Sequence, residues 1–211
     1  MPESLASLLR PLLSSYVFWS VCALSLGTTL VRETFSLWTP AYFSDAAGFS
    51  PADAAATSAL FPLLGGVSVI LCGWLSDRLG PRSRAALVFA GLVLSGLVLL
   101  RLGLIPTRGT MSVILVSLVA FLTIGPYSFL AGAMALDFGG KQGGATASGF
   151  IDGIGYLGGV MAGDTMARIS ITWGWRGCFL LLAGVAFASC IAAAFYIRQS
   201  FEFPELSSEN R

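Results

Sequence analysis

Residues 30–40 of the chain, LVRETFSLWTP, place an arginine and a glutamate, Arg32 and Glu33, inside a stretch that otherwise reads as membrane. The run from Tyr16 to Val31 carries no charge, and Phe35, Leu37 and Trp38 restore the apolar character afterwards. Arg32 lies about 14–16 residues into this stretch, roughly 21–24 Å along a helix and well inside a hydrocarbon layer. A guanidinium at that depth is costly unless it faces protein or a water-filled hollow. Arginine stays charged when dehydrated, and its planar fork matches two oxygens of a phosphate or a carboxylate. Two readings follow: an anion-binding site, or an internal ion pair with an acidic neighbour.

Two acids are candidates for such a pair. Glu33 adjoins Arg32 but is turned roughly 100° away on a helix, which predicts a poor direct partner. Asp152 is expected to be the better one. It shares a helical face with Ala145, Gly149, Tyr156, Gly159 and Gly163, so one stripe presents a carboxylate, a phenol and bare backbone. Asp152 and Tyr156, one turn apart, are expected to line a cavity. Gly155, Gly159 and Gly163, at four-residue intervals, are expected to let a neighbouring helix approach closely. Asp164 and Arg168, spaced i to i+4, are expected to pair within their helix, with a gating or ligand role as the alternative.

These residues need elements that hold them in a membrane. Hydrophobic residues make up 55% of the chain and charged ones 11%, far from the balance of a soluble domain. A spanning helix needs about 20 mostly apolar residues, and the sequence divides into six such stretches at 16–43, 54–76, 84–104, 109–135, 144–168 and 176–197. The expected fold class is an all-α membrane protein of six transmembrane helices. Residues 1–15 read as a cytoplasmic segment or linker remnant, 16–197 as the transmembrane domain and 198–211 as a cytoplasmic tail. Leu5, Leu8, Leu9, Leu12 and Leu13 have helical spacing, so the first segment either lies on the membrane surface or is a plain linker; a cleavable signal is not expected.

Six spans put both termini on one side. That side carries Arg10, Arg78, Arg82, Arg84, Lys141, Arg198 and Arg211, against Arg101, Arg108, Arg168 and Arg176 opposite, which predicts cytoplasmic termini. Ser50-Pro51-Ala52-Asp53 is written as a helix start, with a capping serine, a proline at the first position and a carboxylate three residues after the cap. Gly109, after Pro106, marks another. Ala56-Thr57-Ser58-Ala59-Leu60-Phe61 echoes Ala145-Thr146-Ala147-Ser148-Gly149-Phe150, each followed by a Gly-Gly pair. The echo joins the second stretch to the fifth, which run in opposite directions, and so predicts two inverted three-helix repeats.

Near-zero net charge suggests no nucleic-acid partner. Cys22, Cys72, Cys178 and Cys190 lie in apolar runs without metal-ligand spacing, and the chain has no histidine. No metal site, cofactor, disulfide framework or enzymatic activity is expected.

The stretch Cys72-Gly73-Trp74-Leu75-Ser76-Asp77-Arg78-Leu79-Gly80-Pro81-Arg82-Ser83-Arg84 resembles the loop signature of the major facilitator superfamily. The resemblance implies that Asp77, at a helix terminus, pairs with arginines such as Arg78 and Arg82 or with helix ends, as a conformational lock. The order of Arg32 to Tyr42, this loop, Gly125-Pro126 before Lys141, Ala145 to Gly159 and Trp175 to Phe179 narrows it further. Together these resemble the C-terminal half of an organophosphate:phosphate antiporter of the glycerol-3-phosphate and hexose-phosphate transporter family.

That resemblance covers nearly the whole chain. It implies half of the superfamily fold, Arg32 as the phosphate-gripping residue and Tyr156 in the substrate cavity. Leu37 departs from the acid of the glycerol-phosphate members, whereas Asp152-Gly153 resembles the sugar-phosphate members. The implied partners are inorganic phosphate, a small phosphate ester, a second six-helix half and a lipid bilayer, the bacterial inner membrane. A transporter-like sugar-phosphate sensor, a non-functional fragment and a proton-coupled exporter are the alternatives.

Overall fold

Local signals set the helix ends. Ser15 caps the first helix, its Oγ accepting from the Phe18 amide at 3.2 Å. Ser50 caps the second, accepting from the Asp53 amide at 3.2 Å while its hydroxyl donates to the Asp53 carboxylate at 2.7 Å, with Pro51 leading the helix. This is the start expected from the sequence. Gly80 and Gly109, at φ of 87° and 58°, end and begin helices in a backbone region that other residues avoid.

The computed structural model describes residues 10–202. Among them the helices are α1 Tyr16–Asp45, α2 Pro51–Ser58, α3 Leu60–Leu79, α4 Ser83–Leu104, α5 Thr110–Tyr127 and α6 Ala133–Glu202, with no strand. α6 breaks at Gly140 and Gly174, where φ turns positive, into segments 133–139, 141–173 and 175–202. α2 and α3 divide the expected stretch 54–76, because Pro62 has no amide to offer the Ser58 carbonyl. α5 stops at Tyr127, short of the expected 135, just after Pro126. Most of the first segment and most of the tail, residues 1–9 and 203–211, lie outside the described residues.

Among the described residues four stretches are long and apolar enough to cross a membrane: Pro51–Leu79, Ser83–Leu104, Thr110–Tyr127 and Gly143–Gln199. That is fewer than the six expected. α1 has the length, at 30 residues, but Arg32, Glu33 and its threonines dilute its hydropathy. Gly143–Gln199 is a single apolar stretch that turns at Gly174.

α1 packs mainly on α6, α4 on α6 and α5, and α3 on α5. Two apolar clusters hold the helices at opposite ends. One gathers Phe18, Val21 and Leu24 of α1 with Val88, Leu92, Leu130, Met134, Ile151 and Ala193. The other gathers Phe35, Tyr42 and Phe43 with Phe61, Leu99, Val116, Met166, Phe179 and Leu182. In the second, Phe35 stacks on Phe61 at 5.6 Å and on Phe179 at 6.1 Å, while Tyr42 meets Phe179 edge-on at 4.8 Å. Each such pair contributes about 0.5–1.5 kcal/mol beyond its buried area.

Between the clusters the contacts are made by small residues. A side chain at Gly158 would strike the Leu26 carbonyl, and one at Gly155 would strike the Ser25 hydroxyl. Close approach is therefore the work of Gly155 and Gly158; Gly163 has nothing near it, and Gly159 faces Glu33. This corrects the expected 155, 159, 163 stripe, because the helix presents positions 151, 155, 158 and 162 to α1, a mixed spacing of threes and fours. α4 and α5 approach similarly. Pro126 frees the Leu122 carbonyl, and Gly91 lies against that oxygen where a side chain would not fit.

Candidate functional site

Arg32 sits on α1 among Leu30, Val31 and Phe35 of the second cluster, one turn past the small-residue contacts, with about a quarter of its side chain exposed. Its guanidinium lies over the Tyr127 ring, 4.7 Å from the centroid. Gly125 and Pro126 produce that placement, because the proline ends α5 and leaves Tyr127 as its last residue beside α1. The Tyr127 hydroxyl donates to Asp152 Oδ1 at 3.2 Å. A phenol thus stands between the arginine and the acid, its ring serving the cation and its hydroxyl the carboxylate.

Two expectations are corrected here. Arg32 forms no ion pair with Asp152; the interposed Tyr127 ring takes that place. Glu33, expected to be a poor partner, is the observed one, with Arg32 Nη2 2.6 Å from Glu33 Oε1. Helix geometry separates their Cβ directions, but both side chains are long enough to bend into the same hollow. Arg32 Nε remains buried without a hydrogen-bond partner. The Ser25 hydroxyl, two turns before it, is also buried and unpartnered, and Thr29, one turn before it, faces the Tyr127 hydroxyl, whereas Thr28, Thr34 and Thr39 each donate to the carbonyl four residues back.

Tyr156 is 59% exposed, on the same face as the half-buried Asp152. Arg32, Asp152 and Tyr156 therefore share an open polar face, not an enclosed chamber. A cavity of about 310 Å³ lies elsewhere, toward the other end of α1, lined by Tyr42, Leu102, Thr107, Trp175, Arg176 and Phe179 among others, and it does not reach Arg32. Tyr127 was absent from the sequence-based candidates. Its signal was the adjacent Gly125-Pro126, which marks a helix end inside an apolar stretch.

The basic loop between α3 and α4 brings in an acid outside the sequence-based candidates, Asp137. Asp77 is exposed in the last turn of α3, and Arg78 stacks on Trp74 at 4.3 Å. Arg82 stands at the start of α4. Arg84 reaches Ser76 Oγ at 3.2 Å and lies 3.8 Å from Asp137. Partial burial raises the Asp137 carboxyl from its ordinary value, against the opposing pull of Arg84, while about half of the side chain stays exposed. At the far end Arg168 Nε donates to Asp164 at 2.8 Å, with both side chains largely exposed. No cluster of metal-ligating side chains occurs among the described residues.

Long apolar helices packed through small residues around a half-buried, ion-paired arginine define a polytopic helical membrane protein with a charged centre. Its sequence agrees with the Major Facilitator Superfamily profile over residues 2–163, and the chain belongs to that superfamily. It is similar to the glycerol-3-phosphate transporter of Bacillus subtilis (strain 168), 31% identical over 196 residues that cover 90% of this chain and 42% of that protein. A probable hexose phosphate transport protein of Chlamydia trachomatis is 30% identical over 189 residues, covering 85% of this chain and 40% of that protein. The membrane sensor protein UhpC of Escherichia coli is 29% identical over 184 residues, covering 85% and 41%. The chain spans about two fifths of the length of these relatives.

Proposed function

We propose that the chain is the C-terminal half of a secondary transporter that exchanges inorganic phosphate for a phosphate ester, a sugar phosphate or glycerol phosphate, by alternating access. In this reading six helices, as two inverted three-helix repeats, cross a bacterial inner membrane with both termini cytoplasmic. Support for six comes from the way α1, α3, α4, α5 and the two long segments of α6 each contribute to both apolar clusters. A second six-helix half covers the open face of Arg32, Tyr127, Asp152 and Tyr156, which lipid would not tolerate.

The observation that carries the proposal is the state of Arg32: deep in an apolar helix, stacked on a phenol, with a buried Nε that has no partner. That is an unfinished anion site. A phosphoryl group would offer one oxygen to the unpartnered Nε and a second to Nη2, which Glu33 holds here, and its charge would draw a cationic partner half toward this one. Asp77, Arg78, Arg82, Asp164 and Arg168, near the helix ends, act in gating under this proposal. The relatives named for glycerol 3-phosphate and hexose phosphate transport favour a phosphate ester as the exchanged substrate.

The test is exchange of labelled phosphate in vesicles holding the complete assembly. Arg32→Gln should abolish exchange, and Arg32→Lys should lower it at least tenfold, because lysine has no fork. Exchange that survives Arg32→Gln would refute the proposal. The likeness to a membrane sensor favours a second reading, binding without turnover. Arg32-dependent phosphate binding with no exchange would establish that reading instead.

A further inference from the structure

The carboxylate that engages Arg32 is the one the transport reading leaves without a task. Glu33 takes one donor of the guanidinium, Nη2, at 2.6 Å. Nε, which forms the same edge of the fork as Nη2, is left buried and unpartnered. The Glu33 Cγ lies 3.3 Å from where a side chain at Gly159 would begin, and the Tyr156 ring borders the same spot at 3.7 Å. Glu33 therefore reaches its position across the open polar face, where an incoming ligand would arrive. Around it stand Arg32 on its own helix, Tyr127 on α5 and Asp152 and Tyr156 on α6.

The local charges disfavour an added anion. Arg32 carries one positive charge, while Glu33 and Asp152 together carry two negative ones. Asp152 already accepts from the Tyr127 hydroxyl, so Glu33 is the carboxylate in direct competition for the fork. We propose that Glu33 is a resident internal ligand, occupying the Arg32 fork in the empty state and displaced when a phosphoryl group binds the Nε–Nη2 edge. This inference rests on the phosphate-site reading above. It makes Glu33 a specificity-determining residue: a dianion that makes two hydrogen bonds displaces a tethered carboxylate, and a singly charged anion does not. The nearness of the tether raises the effective concentration of Glu33 well above that of any dilute monoanion.

The experiment measures binding of labelled inorganic phosphate to the complete assembly in nanodiscs, with acetate as competitor. Glu33→Gln keeps the side-chain shape and removes the charge, and Glu33→Ala removes the competing group; melting temperature monitors folding in each. Both variants should bind phosphate about tenfold more tightly, since a like charge a few ångströms from the ligand is removed. Acetate, inert against the parent protein, should compete for phosphate in both. Unchanged or weaker phosphate binding in the variants, still lost on Arg32→Gln, would overturn the role of Glu33 and leave the phosphate site standing. Absence of Arg32-dependent phosphate binding in parent and variants would overturn both. Failure of both variants to fold would also overturn it, because the ion pair would then be structural.

Discussion

Tyr127 is the residue whose removal most directly tests the assembled site. Tyr127→Phe deletes the hydroxyl that donates to Asp152 at 3.2 Å and keeps the ring that lies 4.7 Å below the Arg32 guanidinium. Asp152 is half-buried on an open face, so water can replace part of the lost bond, and the expected cost is about 1 kcal/mol. The same hydrogen bond is lost in Asp152→Ala, so the two changes should not add. A double-mutant cycle between Tyr127→Phe and Asp152→Ala should return a coupling of about 1 kcal/mol. Unfolding by denaturing detergent in mixed micelles, followed by tryptophan fluorescence, reads both single variants and the double. A coupling below about 0.3 kcal/mol would show that the hydroxyl and the carboxylate act independently and would refute the bridged arrangement.

Three further outcomes follow from particular contacts. Gly91→Ala should destabilise the fold by about 1–3 kcal/mol, because its new methyl group meets the backbone oxygen of Leu122 and the Pro126 ring at 2.9 Å; a neutral melting temperature would contradict the close α4–α5 approach. Asp137 has its carboxyl raised chiefly by burial, so its protonated form is favoured in the folded state and its stabilising contribution is lost as pH rises through the raised value. Asp137→Asn should therefore leave stability unchanged or improved near pH 7–8 and flatten the change in melting temperature between that range and about pH 4, the ordinary aspartate value; a drop on substitution at neutral pH would reverse the sign and refute it. Asp164→Asn should leave the melting temperature unchanged, since the pair it breaks with Arg168 is almost fully exposed, and a clear loss of stability would refute that.

The parts of the site that local geometry encodes were legible in the sequence. The cap at Ser50, the pair of Asp164 and Arg168 and the glycine at 109 each depend on residues within one helical turn, where spacing and contact are nearly the same statement. The need for Arg32 to face protein was legible for another reason: hydrocarbon offers a guanidinium no alternative. The count of spans was harder to read, because hydropathy averages over a window. Arg32 and Glu33 lower it in α1, and Gly174 turns a continuous apolar run without interrupting its composition.

Sequence alone, then, determined an all-helical membrane chain with a charge that must be shielded and with helix ends written in serine, proline and glycine. Tertiary structure decided which groups shield it. Tyr127 comes to lie between Arg32 and Asp152 because α5 ends at Pro126 beside α1, a fact of packing between segments distant in the chain. Glu33 meets Arg32 because flexible side chains, not Cβ directions, set the reach of an ion pair, and only the shape of the surrounding hollow decides which way they bend.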